Sequence, residues 1–145
     1  LFIDQAGNLA GGVFNIDMTT IANLDISDPD EKKDFEENMK SGNFFQVDSF
    51  PTAEFRIVAV TASKDSLTNA IVDGELTIKS ITKPLQIKAH VNIAENIMLI
   101  IIPEFIIDRT EWGINYNSKK IFSNLLDNLI NDEIKINMKI LALRK

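Results

Sequence analysis

The feature that most constrains this chain is a period of two. In "LQIKAHVNI", Leu85, Ile87, Ala89, Val91 and Ile93 alternate with Gln86, Lys88, His90 and Asn92. "VDGELTI" sets Val72, Leu76 and Ile78 against Asp73, Glu75 and Thr77, and "EIKINMKI" sets Ile134, Ile136, Met138 and Ile140 against Lys135, Asn137 and Lys139. Successive side chains of a strand point to opposite faces, so each stretch is a ribbon with one oily and one wet side. Antiparallel sheets that pack on one side read this way.

Polar stretches separate the ribbons. "SITKP", residues 80–84, suits a tight hairpin connection, and "DQAGNLAGG" offers Gly7 and Asn8 for a turn that needs positive φ. Two segments break the alternation. In "SDPDEKKDFEENMKSG", Asp28 can cap a helix, Pro29 suits its first position and Glu31 completes a capping-box spacing. Phe35 and Met39 share a face there, and Gly42 can end the helix. In "SKKIFSNLLDNLIND", Ile121, Phe122, Leu125, Leu126, Leu129 and Ile130 form one broad apolar stripe, which predicts a second short helix.

About seven strands follow one another with only two helices between them. Too few helices alternate with strands for a doubly wound fold. The pattern predicts one domain over residues 1–145, mainly β, with its antiparallel sheet curled or closed. Closure would remove edges that invite aggregation.

Composition narrows the function. The formal charge is −6, which argues against nucleic acid as a partner and against docking on anionic lipid by net charge. No cysteine is present, so no disulfide, zinc thiolate or cysteine nucleophile is available. The longest apolar run, "IMLIII" at residues 97–102, falls far short of the ~20 residues of a membrane helix. The chain opens on "LFID" without methionine, as if inside a strand, and upstream sequence is expected.

Four segments carry a family likeness. "MKSGNFFQVDSFPTAEFRI", with Met39, Lys40, Ser41, Phe44, Phe45, Phe50, Pro51, Thr52 and Phe55, resembles a Phe-Phe then Phe-Pro-Thr segment of YceI-like proteins. "GELTIKSITKPLQI", residues 74–87, is similar to their strand-turn-strand ending in Thr-Lys-Pro. "IDMTTI", residues 16–21, and "IDRTEWGI", residues 107–114, resemble two more. The likeness implies an antiparallel lipocalin-like β-barrel capped by helices, with an apolar channel for a polyisoprenoid, quinone or isoprenyl lipid. It also implies a bacterial protein that is periplasmic or secreted. This chain departs from the pattern twice. One or two strands that the family places ahead of this segment are absent, and Ser80 stands where the family has glycine in its turn.

A channel of this kind would be lined by inward positions. These are Phe14 and Ile16, then Phe44 and Phe45, then Phe55 and Ile57. Further along they are Leu76, Ile78, Ile87 and Val91, and finally Phe105, Ile107 and Ile136. Arg109 is the candidate for a polar headgroup, because guanidinium suits oxyanions. The expected occupant is a long-chain lipid or quinone, with a polyisoprenoid or a fatty-acid-like lipid as the bound species. No catalytic residue, metal site or other cofactor is expected. Asp17, His90, Asp108 and Glu111 form no nucleophile–base pair, phosphate loop or metal spacing. Alternation puts His90 on the wet face and separates Asp108 and Trp112 from Arg109 and Glu111. Asp17 reads as a surface carboxylate near a turn, and Trp112 as structural. The alternative is a secreted stress-related or interaction protein with no small ligand. An unpaired sheet edge would then favour a homodimer.

Overall fold

A computed structural model describes residues 1–95, 97–122 and 129–143. Its strands are β1 (Phe2–Ile3), β2 (Leu9–Asp17), β3 (Thr52–Ala62), β4 (Ala70–Ile78), β5 (Ile81–Ala94), β6 (Ile97–Asp108) and β7 (Glu133–Leu143). Among the described residues there is one α-helix, α1 (Pro29–Lys40), between β2 and β3. All strand pairs are antiparallel, and their order in the sheet is their order in the chain.

The long strand β5 serves two partners. Its first part, Ile81–Ala89, pairs with β4, and its last part, His90–Ala94, pairs with β6. The sheet therefore splits and curls about β5. Bulges between Ile57 and Ala59 in β3 and between Ile102 and Phe105 in β6 add to the curl. The inward faces of all the strands from β2 to β7 meet in one apolar core.

Of the curled or closed sheet expected from the sequence, the described residues form the curled one, a half-barrel. Among the described residues, β7 pairs only with β6, and β2 pairs with β3 and the two-residue β1. The consequence shows in burial. On β6, Met98, Ile100 and Ile102 are buried, whereas the inward side chains of β7 from Ile134 to Ala142 stay half-buried.

The β4–β5 turn lies earlier than "SITKP" suggested. Ile78 pairs with Ile81, and Lys79 and Ser80 both have positive φ, 49° and 63°. This is the geometry of a two-residue hairpin whose twist matches the strands. Pro84 lies inside β5, opposite Glu75, on a stretch paired on one side only, where proline is tolerated. Serine in the left-handed region is strained relative to glycine. Ser80→Gly is expected to raise stability by roughly 0.5–1 kcal/mol, read as a higher urea midpoint.

Helix α1 forms as its sequence dictates. The Asp28 carboxylate accepts hydrogen bonds from the backbone N–H groups of Asp30 and Glu31, and Pro29 opens the first turn. The helix ends on extended Ser41 rather than on Gly42. Phe35 on its surface is 42% exposed, so only Met39 of the expected pair packs on the core. The second helix expected over Ile121–Ile130 falls mostly on residues outside those described. Of its flanks, Ile121 and Phe122 are turn and irregular chain, and Ile130 makes an isolated bridge to Ser118.

Candidate functional site

Between the two halves of the sheet lies an apolar cavity of about 350 Å³. This volume is within the ~300–1,000 Å³ range of small-molecule sites. Phe14 and Ile16 of β2, Phe55 of β3, Leu76 of β4, and Leu85 and Ile87 of β5 form one wall. Ile102 and Phe105 of β6, with Met138 and Ile140 of β7, form the other. Asn15, Lys139 and Leu141 also border the cavity, although all three occupy outward, exposed positions. Among the described residues the cavity therefore reaches the surface between β2 and β7, which do not pair. Two polar side chains stand at that lip of an otherwise greasy wall.

Six of the expected lining residues come together here: Phe14, Ile16, Phe55, Leu76, Ile87 and Phe105. Ile57, Ile78 and Ile107 are buried core, and Ile136 packs half-buried against it. Val91 lines a different cavity of about 430 Å³ at the opposite end of β5, shared with Asp4, Asn8 and Asn69. Phe44 is 3% exposed and packed between Arg109 and the Tyr116 ring, whose centroid lies 5.8 Å away. Phe45 is half-buried against the core, and neither phenylalanine borders the apolar cavity.

Arg109 is not placed to meet a headgroup. It is 1% exposed, and alternation fails at this point because Arg109–Trp112 is a 3-10 turn that buries Arg109 and Trp112 together. The guanidinium donates from Nε to the Asn131 carbonyl (3.0 Å), from Nη1 to that of Ile114 (2.9 Å) and from Nη2 to that of Ile130 (3.2 Å). Asp132 Oδ1 lies 3.1 Å from Nη2 as an ion pair, without the alignment of a hydrogen bond. The Phe44 ring faces the guanidinium carbon at 5.5 Å. Arg109 thus clamps the turn after β6 to the segment entering β7.

The other charged candidates are local caps. Asp17 accepts from the Thr19 N–H and hydroxyl and starts a 3-10 turn, Met18–Thr20. The Thr19 hydroxyl and then its amide hold the Asp17 carboxyl below its ordinary value. Asp108 does the same with Thr110 and also meets the Lys120 ammonium. Burial pushes the Asp108 carboxyl up, but Lys120 and Thr110 outweigh it and the net direction is down. Asp108 in turn raises Lys120. His90 and Glu111 are exposed, and none of these four borders the apolar cavity. Among the described residues, no cluster of three histidine or carboxylate side chains is placed to hold a metal. No helix among them is long and apolar enough to cross a membrane.

The profile of the family described as YceI-like domain matches residues 2–142. The chain belongs to the YceI-like family. The UPF0312 protein of Pseudomonas aeruginosa strain LESB58 is 41% identical over 54 residues, covering 37% of this chain. The chain covers 27% of that relative's length. The fold is similar to Burkholderia cenocepacia BcnA, with TM-score 0.72, 20% identity and coverage of 97% of this chain and 80% of the other. It is also similar to a polyisoprenoid binding domain from Saccharophagus degradans implicated in plant cell wall breakdown. There the TM-score is 0.68, identity 10%, and coverage 99% of this chain and 80% of the other. These structural likenesses are of fold.

The four YceI-like segments each have a mechanical role here. "IDMTTI" and "IDRTEWGI" end β2 and β6 in aspartate-capped 3-10 turns. The Trp112 indole of the second donates to the Leu76 carbonyl of β4 (3.1 Å), tying the two halves of the sheet together. The Phe-Phe segment lays Phe44 on Arg109, and the Thr-Lys-Pro segment follows the β4–β5 turn. Sequence reasoning omitted Leu85, Ile102, Met138 and Ile140 from the cavity. Leu85, Met138 and Ile140 carry the same period-two signal as the residues chosen. Ile102 is hidden by the bulge, which shifts the inward set to Phe105 and Ile107; proline at 103 inside a strand was the available cue.

Proposed function

We propose that this YceI-like chain binds, stores or carries a long apolar amphiphile in the cavity between its two half-sheets, in a periplasmic or secreted setting and without catalysing a reaction. A polyisoprenoid, quinone or isoprenyl lipid is the fitting class. One observation carries this reading: inward side chains from six strands surround an apolar cavity that opens at a lip where, among the described residues, Asn15 and Lys139 are the polar groups. Removing hydrocarbon from water there contributes ~0.8 kcal/mol per CH₂ before the cost of ordering the chain. The described function of the Saccharophagus domain, which shares this fold, supports the same class.

The test is organic extraction of protein purified from native cells, followed by mass spectrometry. A co-purifying polyprenyl or quinone species is the expected result. Leu85→Trp, which places an indole in the cavity, should lower its retention at least tenfold, a difference of about 1.4 kcal/mol. Repeated recovery of empty protein, or full retention by the tryptophan variant, would count against the reading. The edge of β7, unpaired among the described residues, favours a second reading, an interaction protein that accepts a partner strand. Light scattering that returned a stable dimer with no extractable lipid would support that instead.

A further inference from the structure

A hydrophobic surface runs from the outside of the sheet onto the lip of the cavity. On the outer face of the β6–β7 ladder, Ile97 stands opposite Leu143 and Leu99 opposite Leu141, and Ile101 follows opposite Lys139. Ile97, Ile101, Leu141 and Leu143 are 47%, 42%, 67% and 71% exposed. Outward positions of a half-buried strand are normally polar, as β7 is from Glu133 to Lys139. Beyond Lys139 the pattern switches and both faces of β7 are apolar. Leu141 belongs to this outer patch and also borders the cavity, next to Lys139 and Ile140. The greasy exterior and the greasy interior therefore meet at the edge of β7.

We propose that this face docks on a lipid bilayer. Size and charge select a bilayer over a second protein copy. The patch exposes on the order of 400 Å², enough to mark an interaction site but about half of the ~800 Å² per partner that a stable protein interface needs. A bilayer sets no such threshold, because single aliphatic side chains enter its interface additively. The outward positions of β6 and β7 from Ile97 to Ile101 and from Lys139 to Leu143 hold a lysine and no carboxylate, in a protein of net charge −6. Among the described residues, Lys139 forms no ion pair. Glu95, in the turn before β6, is the nearest acidic residue along β5 and β6. Net repulsion from anionic lipid is thus locally relieved where the aliphatic side chains project.

Docking goes beyond the carrier function and does not require a filled cavity, so it is measured on lipid-stripped protein. The full chain is floated with vesicles of pure phosphatidylcholine and with vesicles of equal parts phosphatidylcholine and phosphatidylglycerol. Binding to both is expected, and Leu141→Gln with Leu143→Gln should weaken it about tenfold or more. These side chains already face water, so the double variant should keep its urea midpoint. Lys139→Gln should weaken binding to the mixed vesicles only. Three results would overturn the proposal. One is no flotation of the parent chain. Another is flotation untouched by the double substitution. The third is a dimer by light scattering that the double substitution dissociates, which would make a second copy the occupant. A chain that floats normally yet retains no polyprenyl lipid would leave docking standing and remove the carrier reading.

Discussion

Arg109→Ala is expected to lower the unfolding free energy by ~3–5 kcal/mol, read from urea melts followed by circular dichroism. The side chain is 1% exposed, so solvent screens little of the loss. Removing it leaves the carbonyls of Ile114 and Ile130 short of a donor and Asp132, itself 5% exposed, without its cation. Breaking one member of a buried pair is costly because the other charge remains. Small domains are stable by only ~5–15 kcal/mol, so the variant should be largely unfolded under mild stress. Arg109→Lys should recover little, because an ammonium cannot reproduce a fork that reaches three carbonyls. A loss under about 1 kcal/mol would show that the clamp is not structural, and would return Arg109 to consideration as a ligand group.

Gly74→Ala is the second large effect, expected at ~1–3 kcal/mol of destabilisation. Gly74 faces inward on β4, and an added Cβ would lie 2.3 Å from the tip of the Phe55 ring and 2.7 Å from the Arg56 carbonyl. Backbone cannot yield cheaply, so the ring must move. Phe55 already borders the cavity, and its displacement should therefore also reduce lipid retention. Gly42→Ala is the control: an added Cβ there meets nothing within 4 Å and should change stability by no more than about 0.5 kcal/mol. Equal midpoints for Gly74→Ala and Gly42→Ala would contradict the close packing of Phe55 against the β4 backbone.

These two residues show what the sequence could and could not convey. Alternation identified β4, β5 and β7 with the correct inward faces, because a buried face imposes its period on every second residue. The caps at Asp28 and Pro29 were legible because their partners lie two or three residues away. Arg109 was misplaced because alternation holds only while the ladder lasts. The ladder stops at Asp108, and the groups that bury Arg109 include three some twenty residues later. The β4–β5 turn was legible in part: the expected segment 80–84 overlaps it at Ser80, which stands in the family's glycine place and has positive φ, but the chain reverses at Lys79 and Ser80 rather than near Pro84. The cavity was legible as a set of inward apolar residues. Its opening was not, since which strands fail to meet is a property of the whole sheet.

The order of strands in the sheet repeats their order in the chain. Each new strand of a growing polypeptide therefore finds its neighbour already made, one short connection back for β4, β5 and β6 and across longer connections for β3 and β7. A chain delivered from one end, whether by a ribosome or through a secretion pore, can zip up in the sequence in which it emerges, and its least protected edge at any moment is the newest.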